Sequence, residues 1–326
     1  MSEAFAILAT APGGPEVMTR RDITPPQPGP GEVRIRQTAV GVNFLDVYFR
    51  AGLYPWPVER DLILGSEGAG VVEALGEGVG RLSPGDRVAY TIPNGAYATH
   101  RLVPAAMLVK IPDGIADDQA AAAMLKGLTV HYLIHDSYAV REGDTVLVHA
   151  AAGGVGLILG QWLAARGVRA IGTAGGAGKC ALAAANGYAE VIDYRAGDFV
   201  SRVRDLTHGA GVAAVYDSVG ADTIMGSLDC LARFGTLVSF GQSSGAPDQL
   251  RINDLARGSL RVTRPTLFHY ATRRDWLERA SAALFDMIGS GAVNLTIGRR
   301  VPLAEAAEAH RALEARETSG STVLIP

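Results

Sequence analysis

Apolar and polar residues alternate in short runs over the first third of the chain. Val33-Arg34-Ile35-Arg36 and Arg87-Val88-Ala89-Tyr90 read this way, as does Gly70-Val71-Val72. A period of two marks strands with one face toward a core. Turn sequences, Pro28-Gly29-Pro30-Gly31 and Ser83-Pro84-Gly85-Asp86, separate them. Regular short strands divided by such turns predict an all-β domain of barrel type, reaching about Pro112. From Asp117 an Ala-rich stretch predicts a helix through Tyr138.

The pattern then changes. Apolar runs at 146–149, 168–172, 190–193, 213–217, 236–240 and 261–263 are separated by helical segments. Six strands alternating with helices predict a doubly wound α/β sheet. After Pro265 come a helix at 275–288, a strand-like stretch at Val301 and a helix at 304–314. The last apolar run, 322–325, is too orderly for a frayed end and is expected to return to the first domain. No internal repeat or low-complexity segment interrupts this plan. The expected division is a first catalytic part over 1–124, a nucleotide-binding domain over 125–265, and a return to the catalytic domain over 266–326.

At 326 residues the chain is too long for one ordinary core, in keeping with two domains. Its 48% apolar and 19% charged residues suit a soluble globular protein. Net charge is −3 and no Lys/Arg-rich run occurs, so no nucleic-acid surface is advertised. Cys180 and Cys230 are too few for a disulfide framework and fit a reducing cytoplasm. Both sit in apolar helical contexts and read as packing residues rather than nucleophiles. The N-terminal stretch lacks a cationic flank and meets a Gly-Pro turn too early for a signal peptide. No apolar segment reaches bilayer length, so no membrane association is expected.

The chemistry is concentrated between Val146 and Lys179. The apolar run Val146-Leu147-Val148 breaks into a glycine-rich turn, then an amphipathic helix, then a second apolar run. That order opens a dinucleotide-binding βαβ unit, whose turn lets backbone approach a pyrophosphate at a helix N-terminus. Ala151 stands in the first position of the G-x-G-x-x-G fingerprint, Gly153 in the second and Gly156 in the third. The second glycine admits the phosphates and the third permits close helix–strand packing.

An NAD-type site places a carboxylate about 20 residues further on, against the ribose 2′-hydroxyl. Here that place reads Gly172-Thr173-Ala174-Gly175-Gly176, and Lys179 follows. A small neutral loop beside a cation accommodates a 2′-phosphate that a carboxylate would repel. The sequence favours NADPH over NADH, the alternative being that Lys179 is an ordinary solvated lysine.

These residues resemble the quinone oxidoreductases related to zeta-crystallin, within the medium-chain dehydrogenase/reductase superfamily. The likeness runs nearly the whole length: GGPEV, GVNFLDVYFRAGLYP, KGLTVHYL, HAAAGGVGLILGQWL, YDSVG, SFGQSSG, TRPTL and the terminal GSTVLIP. It implies an α/β fold in which a Rossmann doubly wound domain is inserted in a GroES-like, β-barrel-type catalytic domain. It further implies NADPH as hydride donor and a homodimer.

Zinc-using relatives in the superfamily carry Cys where this chain has Asn43, and His before Glu where it has Ser66-Glu67. Amide and hydroxyl are poor zinc ligands. The region 93–100 also lacks the cysteines of their structural-zinc lobe, so no metal is expected. Zinc in an alcohol dehydrogenase polarises a weakly electrophilic carbonyl. Without it the acceptor must already be electrophilic, or hydrogen-bond donors must replace the metal. A quinone or another conjugated carbonyl meets the first condition, with the proton delivered by solvent or a tyrosine.

By resemblance, Asn43, Asp46 and Tyr48 lie in the active-site segment, and Tyr54 follows in GLYP. Asn43 and Tyr48 would border nicotinamide and substrate, and Tyr48 and Tyr54 either donate to a developing oxyanion or only position the substrate. Thr129 would lie near the nicotinamide ribose or carboxamide. Lys126 has either a cofactor-side role or a salt bridge linking the domains. Gly153, Gly154 and Val155 would contact the pyrophosphate, with Thr173, Gly175, Lys179 and Tyr194 around the 2′-phosphate. Phe240, Gly241, Ser243 and Ser244 follow the fifth strand at the ligand-bearing edge. Leu267 would line the nicotinamide pocket, Arg264 reads equally as structural, and Arg316 is either a cofactor contact or a surface ion pair.

The expected function is therefore NADPH-dependent reduction of a quinone. An NADPH-dependent enone reductase would share every cofactor residue. A nucleotide-binding protein without turnover, either a lens-type crystallin or an RNA binder, is the third reading. The absence of basic clustering opposes the RNA role, and the intact cofactor constellation opposes pure structure.

Overall fold

The computed structural model describes residues 4–326. Two compact units emerge: one holds the chain up to Leu128 together with Phe268–Gly289 and Leu295–Pro326, the other Thr129–Leu267 and Ser290–Asn294.

The first unit begins with β1 (Phe5–Ala9), β2 (Met18–Asp22), β3 (Glu32–Val42), α1 (Phe44–Arg50), β4 (Leu62–Ile63), β5 (Glu67–Leu75), β6 (Arg87–Thr91), β7 (His100–Pro104) and β8 (Val109–Lys110), and α2 (Asp117–Tyr132) runs from it into the second. β1 lies between β2 and β4 in a small antiparallel sheet, and the larger sheet is organised on β3. The predicted alternation holds at its start, with Val33 and Ile35 buried and Arg36 exposed. From Ala39 to Val42 every residue is buried. β7 pairs only the first half of β3, and the second half receives a different partner from the end of the chain.

The second unit supplies β9 (Thr145–Val148), α3 (Gly154–Ala165), β10 (Arg169–Ala174), α4 (Ala177–Ala184), β11 (Glu190–Asp193), α5 (Phe199–Leu206), β12 (Val212–Asp217), α6 (Ile224–Cys230), β13 (Leu231–Ser239) and β14 (Arg261–Thr263). All six strands are parallel, in the order β11-β10-β9-β12-β13-β14. Strand order reverses between β9 and β12, so the carboxyl ends of these two strands flank the ligand-binding switch point of a doubly wound sheet. Leu147, Ile171, Val215 and Leu237 form its buried centre with Val203, Ile224 and Leu228 from the helices.

The chain returns through α7 (Leu267–Ala271), α8 (Arg274–Gly289), β15 (Ile297–Pro302), α9 (Ala306–Glu314) and β16 (Ser321–Ile325). β16 pairs antiparallel with the second half of β3, as its apolar sequence predicts, and carries β15 on its other edge. Ala306 and Ala309 of α9 join Ile7, Ile35, Leu64, Tyr90, Tyr97 and Leu324 in one core.

Two elements differ from the sequence reading. The helix expected to reach Tyr138 ends at Tyr132 and continues as a five-residue π turn, Leu133–Ser137. The strand expected to start at 236 begins at Leu231, directly after α6, with a register shift against β12. Its first residues are half-exposed or exposed, which is why apolar patterning passes over them.

Candidate active site

Asn43 follows the buried half of β3 and is the N-cap of α1, in extended conformation. Its backbone N–H donates to Asp46 Oδ2 at 2.9 Å, a reach-back that satisfies the backbone donor ahead of the helix. Its side-chain Nδ2 donates to Glu67 Oε1, also at 2.9 Å. Two carboxylates thus hold one asparagine from two sides. Glu67 is fully buried and takes two further donors, Leu125 N at 2.6 Å and Lys126 Nζ at 2.5 Å. The glycine opposite makes room: a Cβ on Gly41 would stand 2.2 Å from Glu67 Oε1.

Asp46 is equally sealed. It accepts from Ser66 Oγ at 2.7 Å and from the Tyr97 hydroxyl at 3.2 Å. Burial is the largest influence on its carboxyl and pushes it up to about 7, against the opposing pull of these hydrogen bonds. Asp46 has no exposed surface, and its carboxylate is shared among Asn43, Ser66 and Tyr97.

Tyr48 and Tyr54 form an aromatic pair, ring centroids 5.5 Å apart and tilted by 59°. Phe49 meets Tyr54 edge-on at the same separation. Tyr48 is buried and Tyr54 half-buried, so packing accounts for the rings, while a hydroxyl role rests on proton chemistry. Lys126 is corrected in one respect. Its partner Glu67 belongs to the same unit, so the ion pair does not link domains.

In the second unit the glycine turn follows β9. Gly153 is the N-cap of α3 and carries no side chain to satisfy the helix's first N–H groups. Such an end suits a phosphate. A Cβ on Gly156 would stand 2.4 Å from the Ala150 carbonyl oxygen, so this glycine is required for helix–strand packing. The departure at Ala151 is compensated across the sheet, where a Cβ on Gly172 would stand 2.7 Å from that of Ala151. The fingerprint's missing glycine has its space supplied by β10.

Thr173 is buried, and its hydroxyl lies 2.9 Å from His149 Nδ1. Ser227 Oγ donates to Asp217 Oδ2 at 2.8 Å, so it must accept from His149 Nε2 at 3.0 Å. His149 Nδ1 is then the acceptor, and the Thr173 proton is committed inward. The Thr173 hydroxyl is thereby removed as a donor to the expected 2′-phosphate. Burial lowers the His149 pKa, which agrees with the neutral ring this arrangement needs.

Gly175 lies under Tyr194: a Cβ there would fall 2.5 Å from the Tyr194 hydroxyl and 3.1 Å from Arg195 Nε. Arg195 is exposed and brings a second cation, besides Lys179 of α4, to this loop. Sequence reading missed it because a charge after a strand ordinarily signals only solvent. Asp193 accepts from Gly176 N and Arg195 N, each at 3.0 Å, and these backbone donors hold its carboxyl below the usual range.

The loop after β13 packs on the loop after β12. A Cβ on Gly241 would stand 2.6 Å from the Ser218 carbonyl oxygen, and Ser244 Oγ donates to Val219 O at 2.8 Å while accepting from Asp222 N. Ser244 is therefore a loop clamp; Phe240 and Ser243 remain half-buried beside it. Arg264 donates to the carbonyls of Ser239 and Gly241, which favours its structural reading. Thr129 and Leu267 are buried, and Arg316 is exposed with φ of +59°.

A zinc ion does not fit the first unit's residues. The two positions occupied by ligands in zinc relatives present an amide and a hydroxyl, each bound to a buried carboxylate. Among the described residues no group of three His, Cys, Asp or Glu converges in a metal-holding arrangement.

Two family profiles match the chain: an alcohol dehydrogenase GroES-like domain over residues 29–113 and a zinc-binding dehydrogenase over residues 186–324. A quinone oxidoreductase from Pseudomonas aeruginosa is 51% identical over 325 residues, covering 99% of this chain and all of the relative. A 2-haloacrylate reductase from Burkholderia sp is 43% identical, with 96% of each chain covered. The solved structure of Escherichia coli quinone oxidoreductase complexed with NADPH is 44% identical, with TM-score 0.97 over 99% of this chain and 100% of that one.

Proposed function

The chain belongs to the quinone oxidoreductases of the medium-chain dehydrogenase/reductase superfamily, and from that premise we propose that it is an NADPH-dependent quinone reductase. The reading rests above all on Asn43 and Ser66, polar but non-ligating groups bound to buried Glu67 and Asp46. An acceptor that needs no Lewis acid is the one such a site can serve.

NADPH, held in the Escherichia coli relative, supplies the hydride when bound. The uncapped N-terminus of α3 at Gly153, Gly154 and Val155 would hold the pyrophosphate. Tyr194 and Arg195, over Gly175, together with Lys179 of α4, would receive the 2′-phosphate. Tyr48 or Tyr54 gives a hydrogen bond to the acceptor's developing oxyanion, which in a quinone is an aromatic hydroquinone anion.

Reduction of a conjugated enone is the second reading, and the 2-haloacrylate reductase relative supports it. A steady-state panel of quinones and enones with NADPH decides: the highest kcat/KM falls on a quinone, and a clear enone preference overturns the assignment. Family kinship supports a homodimer, and β14, the last strand of its sheet, offers an edge for a second copy. The free thiols of Cys180 and Cys230 agree with a reducing cytoplasm, and no described helix is long and apolar enough to cross a membrane.

A further inference from the structure

A line of polar groups runs from the end of α9 to Asn43, and with Asp46 ionised every hydrogen in it can be assigned. Arg50, 2% exposed, donates through both terminal nitrogens to the Glu314 carboxylate at 2.7 and 2.8 Å. Its Nη1 also lies 3.1 Å from His310 Nδ1, and its Nε donates to Gly13 O at 3.0 Å. A guanidinium only donates, so His310 Nδ1 accepts and the ring's single proton sits on Nε2. That Nε2 is 2.9 Å from the Tyr97 hydroxyl, which receives its proton. Tyr97 therefore turns its own hydrogen onto Asp46 Oδ2. Asp46 gathers Ser66 Oγ and Asn43 N as its other donors.

The direction is the same at each link. A guanidinium has donors and no acceptor, so it cannot relay a proton inward, and the line is a clamp and not a conduit. Tyr97 and His310 have no exposed surface and cannot meet a substrate. A Cβ on Gly65 would stand 2.3 Å from the Tyr97 ring, so the residue before Ser66 is also shaped around this tyrosine. The charged and titratable groups facing Asp46 and Tyr97 are Glu67 with its partner Lys126, Tyr90 with Arg101, and Arg50. Burial, reinforced by Arg50, lowers the His310 pKa to about 3, which agrees with a ring kept neutral in one tautomer.

We propose that Tyr97 and His310 are positioning residues of the reductase: through Asp46 they lock Asn43 and Ser66 into the single arrangement that receives the acceptor. The kinetic part of this inference rests on the quinone-reductase reading; the clamp itself does not. An imidazole with one acceptor and one donor is mimicked by an amide, so His310→Gln preserves the polarity that His310→Leu abolishes.

The test compares Tyr97→Phe, His310→Leu, His310→Gln and the double variant Tyr97→Phe/His310→Leu as full chains. For the first two, kcat/KM for 1,4-benzoquinone falls about tenfold, the scale of one lost buried hydrogen bond, while the NADPH dissociation constant stays within about twofold. His310→Gln recovers most of the loss, and the double variant is no worse than either single one. Amide hydrogen exchange at Asn43 quickens about tenfold in Tyr97→Phe. Unchanged exchange at Asn43, multiplying losses in the double variant, or a His310→Gln as impaired as His310→Leu would overturn the clamp. Wild-type protein inactive toward every quinone would instead sink the functional reading, and the exchange measurement would still decide the clamp.

Discussion

Lys126 Nζ donates to Glu67 Oε1 at 2.5 Å with both side chains almost wholly out of water, 6% and 0% exposed. A buried pair is only weakly favourable as a whole, but removing one member leaves an uncompensated charge. Lys126→Met is expected to lower unfolding free energy by about 3–5 kcal/mol. Lys126→Met/Glu67→Gln should regain part of it: the unpaired charge is gone, but an amide that accepts from Leu125 N turns its NH2 toward the Asn43 Nδ2 donor. Urea denaturation of both variants checks this, and equal destabilisation by both would remove charge burial as the cause.

The 2′-phosphate site predicts discrimination between cofactors. Lys179→Ala should weaken NADPH about tenfold or more while leaving NADH nearly unchanged, and Arg195→Ala should act in the same direction but less. Calorimetric titration with both cofactors measures this. Equal losses for NADPH and NADH would take these cations out of the specificity argument.

Two glycines with similar crowding should behave differently. Gly156→Ala drives a Cβ into backbone carbonyls at 2.4 and 2.6 Å, and stability should drop by about 1–3 kcal/mol. Gly175→Ala meets the Tyr194 hydroxyl, whose side chain is 43% exposed and can swing away. Its melting temperature should hardly move while its NADPH affinity falls. The reverse ranking would show that Tyr194 does not lie over the phosphate loop.

Stability against pH carries a sign for each buried group. Asp46 binds its proton more tightly folded, at about 7, than its ordinary 3.8, so stability falls as pH rises between those values. His310 behaves oppositely, refusing below 6.5 a proton that the unfolded chain accepts, so stability falls as pH drops toward about 3. From 3.8 to 6.5 the two slopes oppose one another and flatten the wild-type curve. His310→Gln should expose the decline with rising pH, and Asp46→Asn the decline with falling pH, each at about 1.4 kcal/mol per pH unit. Denaturant unfolding at several pH values decides, and variant curves parallel to wild type would refute the assignment.

Chelation gives a further check. Activity should be indifferent to EDTA and purified protein should hold no stoichiometric zinc, since Asn43 and Ser66 are spent on Glu67 and Asp46. One zinc per chain with chelator-sensitive turnover would contradict this.

The amino-acid order by itself determined the two-part architecture, the return of the last strand, and the cofactor turn. These are local signals: a period of two in β3, near-continuous apolar runs in parallel strands, and glycines whose neighbours are close in the chain. Glu67 is one of two acids in β5, with Glu73, and nothing along the chain marks its partners. Partners 59 and 260 residues apart, Lys126 for Glu67 and His310 for Arg50, were decided only by tertiary structure. So was the inward turn of Thr173, a residue type that the sequence reads as a phosphate donor. A hydrogen bond's direction depends on what else its donor and acceptor touch, and burial sets whether a charge can persist. Neither quantity is carried by neighbours along the chain, so both come into being only when distant strands and helices close around the same few atoms.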